Sequence, residues 1–571
     1  MKKFIISLFA FIYLVPEVFP QIKKIPYPII FVHGLKSSDR TFKTTMEFLN
    51  EHYQLGPINV FDVVLNADND DHTAVLEEDV KYEDFHFGDR DINVGRRNYA
   101  DDIDDFVDGW QPSYIFAVNF QEERIRGAAG FWNDYFDYSD QAAIFKQGYA
   151  LSKVIKEVLD FTGAEKVILV GHSMGGLAIR EYLQRTEANH IHTNWIDPYS
   201  EDGHKVAKVI TLGTPHLGSN TGLDPTKSSV LNEKTEAVRD MKWEYDSYTN
   251  CNGSPVGIYL FGGNENCIAP TDDNETFYNV DINCNGSTTD NIIGIDFSTY
   301  DNPVMPLPED LPYTWITSIY ASSGDLTGDG AVAIGRQWLY VGNEPAPLGI
   351  TDTLMTDVFH TSEPDDFYTV IRGLDEPSNL DFAYFISLDT QYLGFTTYQT
   401  NMEIFDADAY FFRCDPNSQY IISIANEESF AHRIEIYNSN KQLIKEDNFY
   451  TPPYQTEITT GEDSVIYLKI YGHATPVSYL YPYDISVTKE MQYIETTFST
   501  DLKAYYSEGL LHLSKPVSGS FELYTLSGQK VFSAIKTQPT ENINVKLPAG
   551  IYTLSVNNKE KRYITKIAVV K

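Results

Sequence analysis

The chain has only four cysteines in 571 residues, eight methionines and six tryptophans. That is too few cysteines for a disulfide scaffold, so a chain of this length has to be held by hydrophobic cores, and by more than one of them. Cys251 and Cys267 flank one short strand-like segment and form the candidate disulfide; Cys284 and Cys414 complete the set. Cations are also scarce, 43 Lys and Arg against 81 Asp and Glu, for a net charge of −38. A surface of that sign repels phosphates, which excludes nucleic acid as a partner and disfavours electrostatic docking on anionic lipid. Beyond the first residues no apolar stretch is long enough to span a bilayer.

Aromatic residues are abundant, at 14%, with 39 tyrosines leading. Tyrosine is amphipathic and suits β-rich surfaces and half-wet grooves. The chain opens with Met1-Lys2-Lys3 and an apolar run from Phe4 to Val15, the pattern of a secretory signal peptide over residues 1–21. Export is the expectation, with no transmembrane anchor.

From Ile25 to about Gly373, apolar strand-like runs alternate with helical patterns, which predicts an α/β domain over residues 22–375 built on a mostly parallel sheet. Ile29–Val32, Tyr114–Phe120, Val167–Val170, Val206–Leu212 and Ile316–Ala321 read as strands. Ile144, Gly148, Leu151, Ile155, Val158 and Leu159 recur at helical spacing, with Gly163 as the stop. Two stretches, Asp62–Gly109 and Ser219–Pro312, read as cap insertions. After Leu374 the grammar changes to short alternating runs such as Tyr420–Ile424, Ile434–Tyr437 and Val465–Tyr471. These predict two all-β modules, a sandwich over residues 376–490 and a smaller unit over residues 495–571.

The chemistry concentrates at Gly171-His172-Ser173-Met174-Gly175-Gly176, which follows a buried strand and opens a helix. A serine on so sharp a turn needs small neighbours two residues away on either side, and Gly171 and Gly175 supply them. The turn lifts the hydroxyl above the strand end and leaves the Met174 amide at the helix start to face an oxyanion. A serine hydroxyl is a poor nucleophile alone, so a base and an orienting acid are required. Asp329, in Gly328-Asp329-Gly330, is the candidate acid, with Asp325 as rival; His360 follows at the position expected for the base. His33-Gly34-Leu35 follows the first strand, where Gly34 permits close approach and the Leu35 amide completes the oxyanion hole. Oxygen-rich clusters at Asp68 and Asp70, and at Asp281, Asn283 and Asn285, are weak calcium candidates. No cofactor is required by this chemistry; calcium enters only as a structural ion.

Pro28–Leu35, Val170–Gly176 and Leu212-Gly213-Thr214-Pro215-His216-Leu217-Gly218 together resemble bacterial lipases and the related domain of GPI inositol-deacylases. The resemblance implies an α/β-hydrolase that cleaves carboxyl esters of lipid-like substrates through an acyl-enzyme, with Ser173 attacking, His360 moving the proton and Asp329 orienting it. An amidase or peptidase with the same three residues is the alternative, and a surface adhesin with an inactive hydrolase domain is the alternative from another class. Asp406-Ala407-Asp408-Ala409-Tyr410-Phe411 resembles bacterial pre-peptidase C-terminal sandwiches. Leu523–Val531, Leu547–Tyr552 and Lys566–Lys571 resemble the type A sorting domain of the type IX secretion system. That likeness implies the type IX machinery as partner and a surface or secreted location.

Overall fold

The computed structural model describes residues 22–65, 85–86, 95–99, 106–120, 144–184, 203–216, 218, 237, 241, 307–320, 328–332, 334–337, 340–341, 344–345, 351–397, 406–425, 432–449, 454–472, 481–490, 498–499, 502–507, 509–525, 529–558 and 562–569. The signal-peptide reading, the Cys251–Cys267 pairing, Asp325 and both weak calcium clusters lie outside those residues, as does nearly all of Ser219–Pro312. Cys414, half-buried, has no disulfide partner among the described residues. Residues 1–489 form one compact unit and residues 490–571 a second.

The first unit is organised by a nine-stranded sheet. Its strands are β1 (Ile29–Val32), β2 (Asn59–Asp62), β3 (Gly95–Tyr99), β4 (Phe106–Asp108), β5 (Ile115–Asn119), β6 (Val167–His172), β7 (Val206–Leu212), β8 (Tyr313–Ser318) and β9 (Thr351–Thr356), in the spatial order β9-β8-β7-β6-β1-β5-β2-β3-β4. All pairs from β9 to β2 are parallel. Strands β1, β5 and β6 are buried on both faces, which is why they read as unbroken apolar runs. Helix α1 (Lys43–Tyr53) follows β1, and helix α2 (Ile144–Thr162) buries Ile144, Leu151, Ile155 and Val158 and stops at Gly163, whose φ is +71°. Helix α3 (Met174–Gln184) is buried along its whole length.

The first interval read as an insertion is not all cap. Strands β3 and β4 extend the sheet in antiparallel fashion beyond β2. Arg97 on β3 fixes them, its guanidinium donating to Asp62 at 2.5 and 3.0 Å and lying 3.3 Å from Asp39, all three buried. Charge pairing inside the protein, not hydrophobic periodicity, holds that edge.

The sandwich follows in the same unit. One layer has the order β10 (Tyr384–Phe385), β12 (Asp406–Arg413), β17 (Val465–Gly472), β14 (His432–Tyr437), β15 (Leu443–Phe449); the other β11 (Gln391–Thr396), β18 (Tyr481–Lys489), β13 (Gln419–Ala425), β16 (Tyr454–Thr459). Burial alternates along β16, β17 and β18, matching the alternating sequence. A single apolar cluster runs from Phe31 and Leu49 under the nine-stranded sheet to Phe395 and Tyr410 in the sandwich, so the two layer systems share a core. Tyr53 meets Phe395 edge-on at 4.8 Å. The second unit is a six-stranded sheet over 498–569 with its own core of Leu511, Phe521, Leu523, Leu554, Val556 and Ile567.

Candidate active site

The site gathers at the carboxyl ends of β1 and β6, which are neighbours in the sheet. Strand β6 ends at His172, α3 begins at Met174, and Ser173 between them has φ +52°. A left-handed backbone is uphill for a residue with a Cβ and persists only where the surroundings enforce it. Here the Ser173 amide donates to Leu212 O at 2.8 Å and the Gly176 amide to Ser173 O at 3.1 Å. The loop after β1 passes directly overhead: a Cβ on Gly34 would lie 2.7 Å from Ser173 Cβ.

His360 opens a 3-10 turn (His360–Asp365) after β9. Its main chain is held twice, the amide donating to Asp329 O and the carbonyl accepting from His172 Nε2, each at 2.9 Å. Its ring lies between the other two side chains. Nε2 is 2.9 Å from Ser173 Oγ and Nδ1 is 2.8 Å from Asp329 Oδ2. Asp329 is fully buried, and its Oδ1 accepts from the amides of Ala331 and Val332 at 2.7 and 2.6 Å. Those two amides hold the carboxyl group aimed at the ring. The three side chains come from positions 156 and 31 residues apart (173 to 329, 329 to 360), so only the folded sheet assembles them.

Three further side chains back the site. His172 is buried and neutral, its pKa held well below the ordinary value by desolvation and then by His360. His33 donates from Nδ1 to Gly34 O at 2.8 Å and accepts from the Phe120 amide on Nε2 at 2.9 Å. That pattern needs one proton on Nδ1 and none on Nε2. Burial lowers its pKa to about 4. The unfolded chain protonates His33 below about 6.5, whereas the folded chain does so only near 4, so the unfolded state binds more protons between these values. Stability is therefore expected to fall by roughly 3 kcal/mol from this residue as pH drops from 6.5 to 4. Thermal melts of wild type and His33→Gln across that window check it: the variant's acid slope should be shallower, and equal slopes would refute the assignment.

Sequence reading missed Glu363. It is 1% exposed, 3.5 Å from His360 Nδ1 and 3.4 Å from His172 Nε2, and neither carboxyl oxygen makes a hydrogen bond among the described residues. Burial first, then the charges of Asp329 and Asp366, push its pKa well above the carboxylate range. That disfavours its charged form, and the hydrogen bond to the ring is made by Asp329. The only signal in the sequence was a glutamate three residues after His360, a separation that eclipses in a 3-10 turn.

Residues 124–238 match the family model of lecithin:cholesterol acyltransferase, and residues 507–571 match that of the secretion system C-terminal sorting domain. The first match includes Ser173 and the Gly213–His216 motif and ends before Asp329 and His360. Among solved structures, a gene product of Listeria innocua is similar at 12% identity and TM-score 0.31, covering 62% of this chain and 95% of that one. A lipase from Bacillus licheniformis in mature form is similar at 14% and 0.26, covering 62% and 92%. The pre-peptidase C-terminal domain of a Bacillus anthracis collagenase is similar at 17% and 0.15, covering 20% and 98%. Among the described residues no helix is long and apolar enough to cross a membrane. Residues 124–238 are thus lecithin:cholesterol acyltransferase-like within an α/β-hydrolase fold, and residues 507–571 form a type IX sorting domain, which directs the chain to the cell surface or outside.

Proposed function

We propose that the chain hydrolyses carboxyl esters through an acyl-enzyme on Ser173. The observation that carries this reading is the unbroken hydrogen-bonded series Ser173 Oγ, His360, Asp329, ending in two main-chain amides. Ser173 Oγ attacks the ester carbonyl as its proton passes to His360 Nε2. The imidazolium so formed keeps its Nδ1–H on Asp329, a buried carboxylate whose charge is little screened. The amides of Leu35 and Met174 take the negative oxygen of the tetrahedral intermediate, each contributing about 3 kcal/mol. Collapse breaks the C–O bond, the alkoxide leaves with the proton from His360, and water repeats the sequence on the acyl-enzyme to release the acid.

Apolar side chains beside His360 favour a hydrophobic acyl group. Phe359 and Tyr320 pack edge-on at 5.7 Å and are 41% and 40% exposed, next to Ile319 at 39%. The test is labelling of the full chain by a fluorophosphonate, with mass spectrometry to locate the adduct, followed by a chain-length series of nitrophenyl esters. An adduct on Ser173 and turnover that rises with acyl length support a lipase-like ester hydrolase. Turnover confined to peptide amides would replace it with the amidase reading, and folded protein that takes no label would end the serine mechanism.

A further inference from the structure

Beside the His360 ring the chain buries a carboxyl that the proposed reaction does not use. Glu363 lies three residues after His360 in the same 3-10 turn, so the two side chains stand on one side of it. The turn is tied down from outside. The Thr45 hydroxyl donates to Pro364 O and the Thr44 hydroxyl to Asp365 Oδ1, each at 2.8 Å, and both come from helix α1. The Thr356 hydroxyl, at the end of β9, donates to Asp366 Oδ2 at 2.6 Å. Anchored on both flanks, the turn holds Glu363 buried.

Room for that carboxyl is made by Gly213, which follows β7 with φ +49°. A Cβ there would overlap Glu363 Oε2 and lie 2.9 Å from Asp329 Oδ2, so both carboxyls converge beside His360 Nδ1. Asp329 Oδ2 is 2.8 Å from that nitrogen and Glu363 Oε2 is 3.5 Å from it. Glu363 Oε2 is also 3.4 Å from His172 Nε2, which donates to the His360 carbonyl. Each of these N–H groups therefore has a nearer acceptor, and neither Glu363 oxygen makes a hydrogen bond among the described residues. A buried carboxyl left so is destabilising, and an apolar side chain of similar volume would not be. The titratable groups facing it are His172, His360, Asp329 and Asp366; burial first, then the two aspartates, disfavour its ionised form.

We propose that Glu363 is a positioning residue for His360, its carboxyl serving as a second acceptor for the Nδ1–H beside Asp329 when the ring becomes imidazolium. The role rests on the proposed attack by Ser173, since that reaction puts the positive charge on the ring. In the resting site the neutral ring donates to Asp329 alone. Once the Ser173 proton reaches Nε2, the charged ring is drawn to both carboxyls. An uncharged carboxyl still offers a carbonyl dipole, which stabilises the imidazolium in a buried site where little water screens it. A second negative charge in that place would act too early, because it would favour a protonated ring before Ser173 has given up its proton and so remove the base. The burial that disfavours the charged form of Glu363 thus suits the role.

Glu363→Leu and Glu363→Gln in the full chain separate this role from packing. Leucine fills the space with no acceptor, so kcat for a nitrophenyl ester should fall about tenfold at unchanged KM, with no loss of melting temperature. The acid limb of kcat/KM, which reports His360, should move down by about half a pH unit, since an imidazolium with one acceptor fewer releases its proton more readily. Glutamine keeps a carbonyl acceptor, so kcat should stay within about threefold of wild type with the limb in place. A folded Glu363→Leu protein with wild-type kcat and an unmoved acid limb would overturn the proposal, as would equal losses in the two variants. Should Glu363→Leu fail to fold, Glu363→Met, unbranched and of similar volume, is held to the same readouts. Fluorophosphonate labelling of wild type keeps the two readings apart. No adduct on Ser173 removes the serine mechanism and this role with it, whereas an adduct together with an unmoved limb removes the role of Glu363 alone.

Discussion

Ser173→Ala is expected to lower kcat/KM for a nitrophenyl ester by about 10⁴- to 10⁶-fold while leaving the fold intact. The wide range reflects how far the proposed oxyanion hole of Leu35 and Met174, with substrate binding, accelerates attack by water alone. The side chain removed is one oxygen, half-exposed and bonded to His360 at 2.9 Å. Its main chain keeps the bonds to Leu212 and Gly176, so the melting temperature should stay within a degree or two of wild type. Steady-state kinetics and a thermal melt on the same preparation give both numbers. Ester turnover within tenfold of wild type, from protein free of contaminating esterase, would remove Ser173 from the mechanism.

The second large effect is expected at Gly175→Ala, two residues along the chain. A Cβ there would lie 2.2 Å from Val32 O and 2.6 Å from His33 O. Both obstacles are main chain, the last residue of a strand buried in mid-sheet and the residue that follows it, so no rotamer change relieves them. Helix α3 has to lift from β1 by about an ångström, and overpacking of this kind costs roughly 3 kcal/mol. In the proposed mechanism the same shift separates the Met174 and Leu35 amides, which would take one oxygen from the two elements being pushed apart. A misplacement of that size lowers rate by about 100-fold. Gly163→Ala is the control: φ is +71° but nothing lies within 4 Å, so it should cost about 1 kcal/mol and leave kinetics unchanged. Equal kinetic effects of the two substitutions would show that the contact with β1 is not what sets the geometry of the site.

Much of the site was legible before any coordinates. Ser173 was marked by its glycines and by a strand-to-helix transition in the apolar pattern, because the turn imposes its steric demands on adjacent residues. His33 and Gly34 are marked in the same way, after a strand whose four residues are all apolar. Asp329 and His360 were reached by order along the chain, with Asp325 still open as a rival; the 2.8 Å contact with the His360 ring belongs to Asp329. Glu363 was invisible, since a glutamate before a proline in a polar stretch looks like any surface residue. Its burial against two histidines is a property of packing.

The local sequence by itself determined what short-range sterics and periodicity determine: which runs become strands, where α2 stops, and where a serine is held in a strained turn. Tertiary structure alone decided that β3 and β4 extend the sheet, that the hydrolase and sandwich layers share one core, and that Glu363 settles between two histidines. The physical reason is the same in each case. Periodicity reports which face of an element avoids water, whereas charge pairing, proton affinity and unmet hydrogen bonds depend on which distant residue arrives opposite, and that information exists only once the chain has closed on itself.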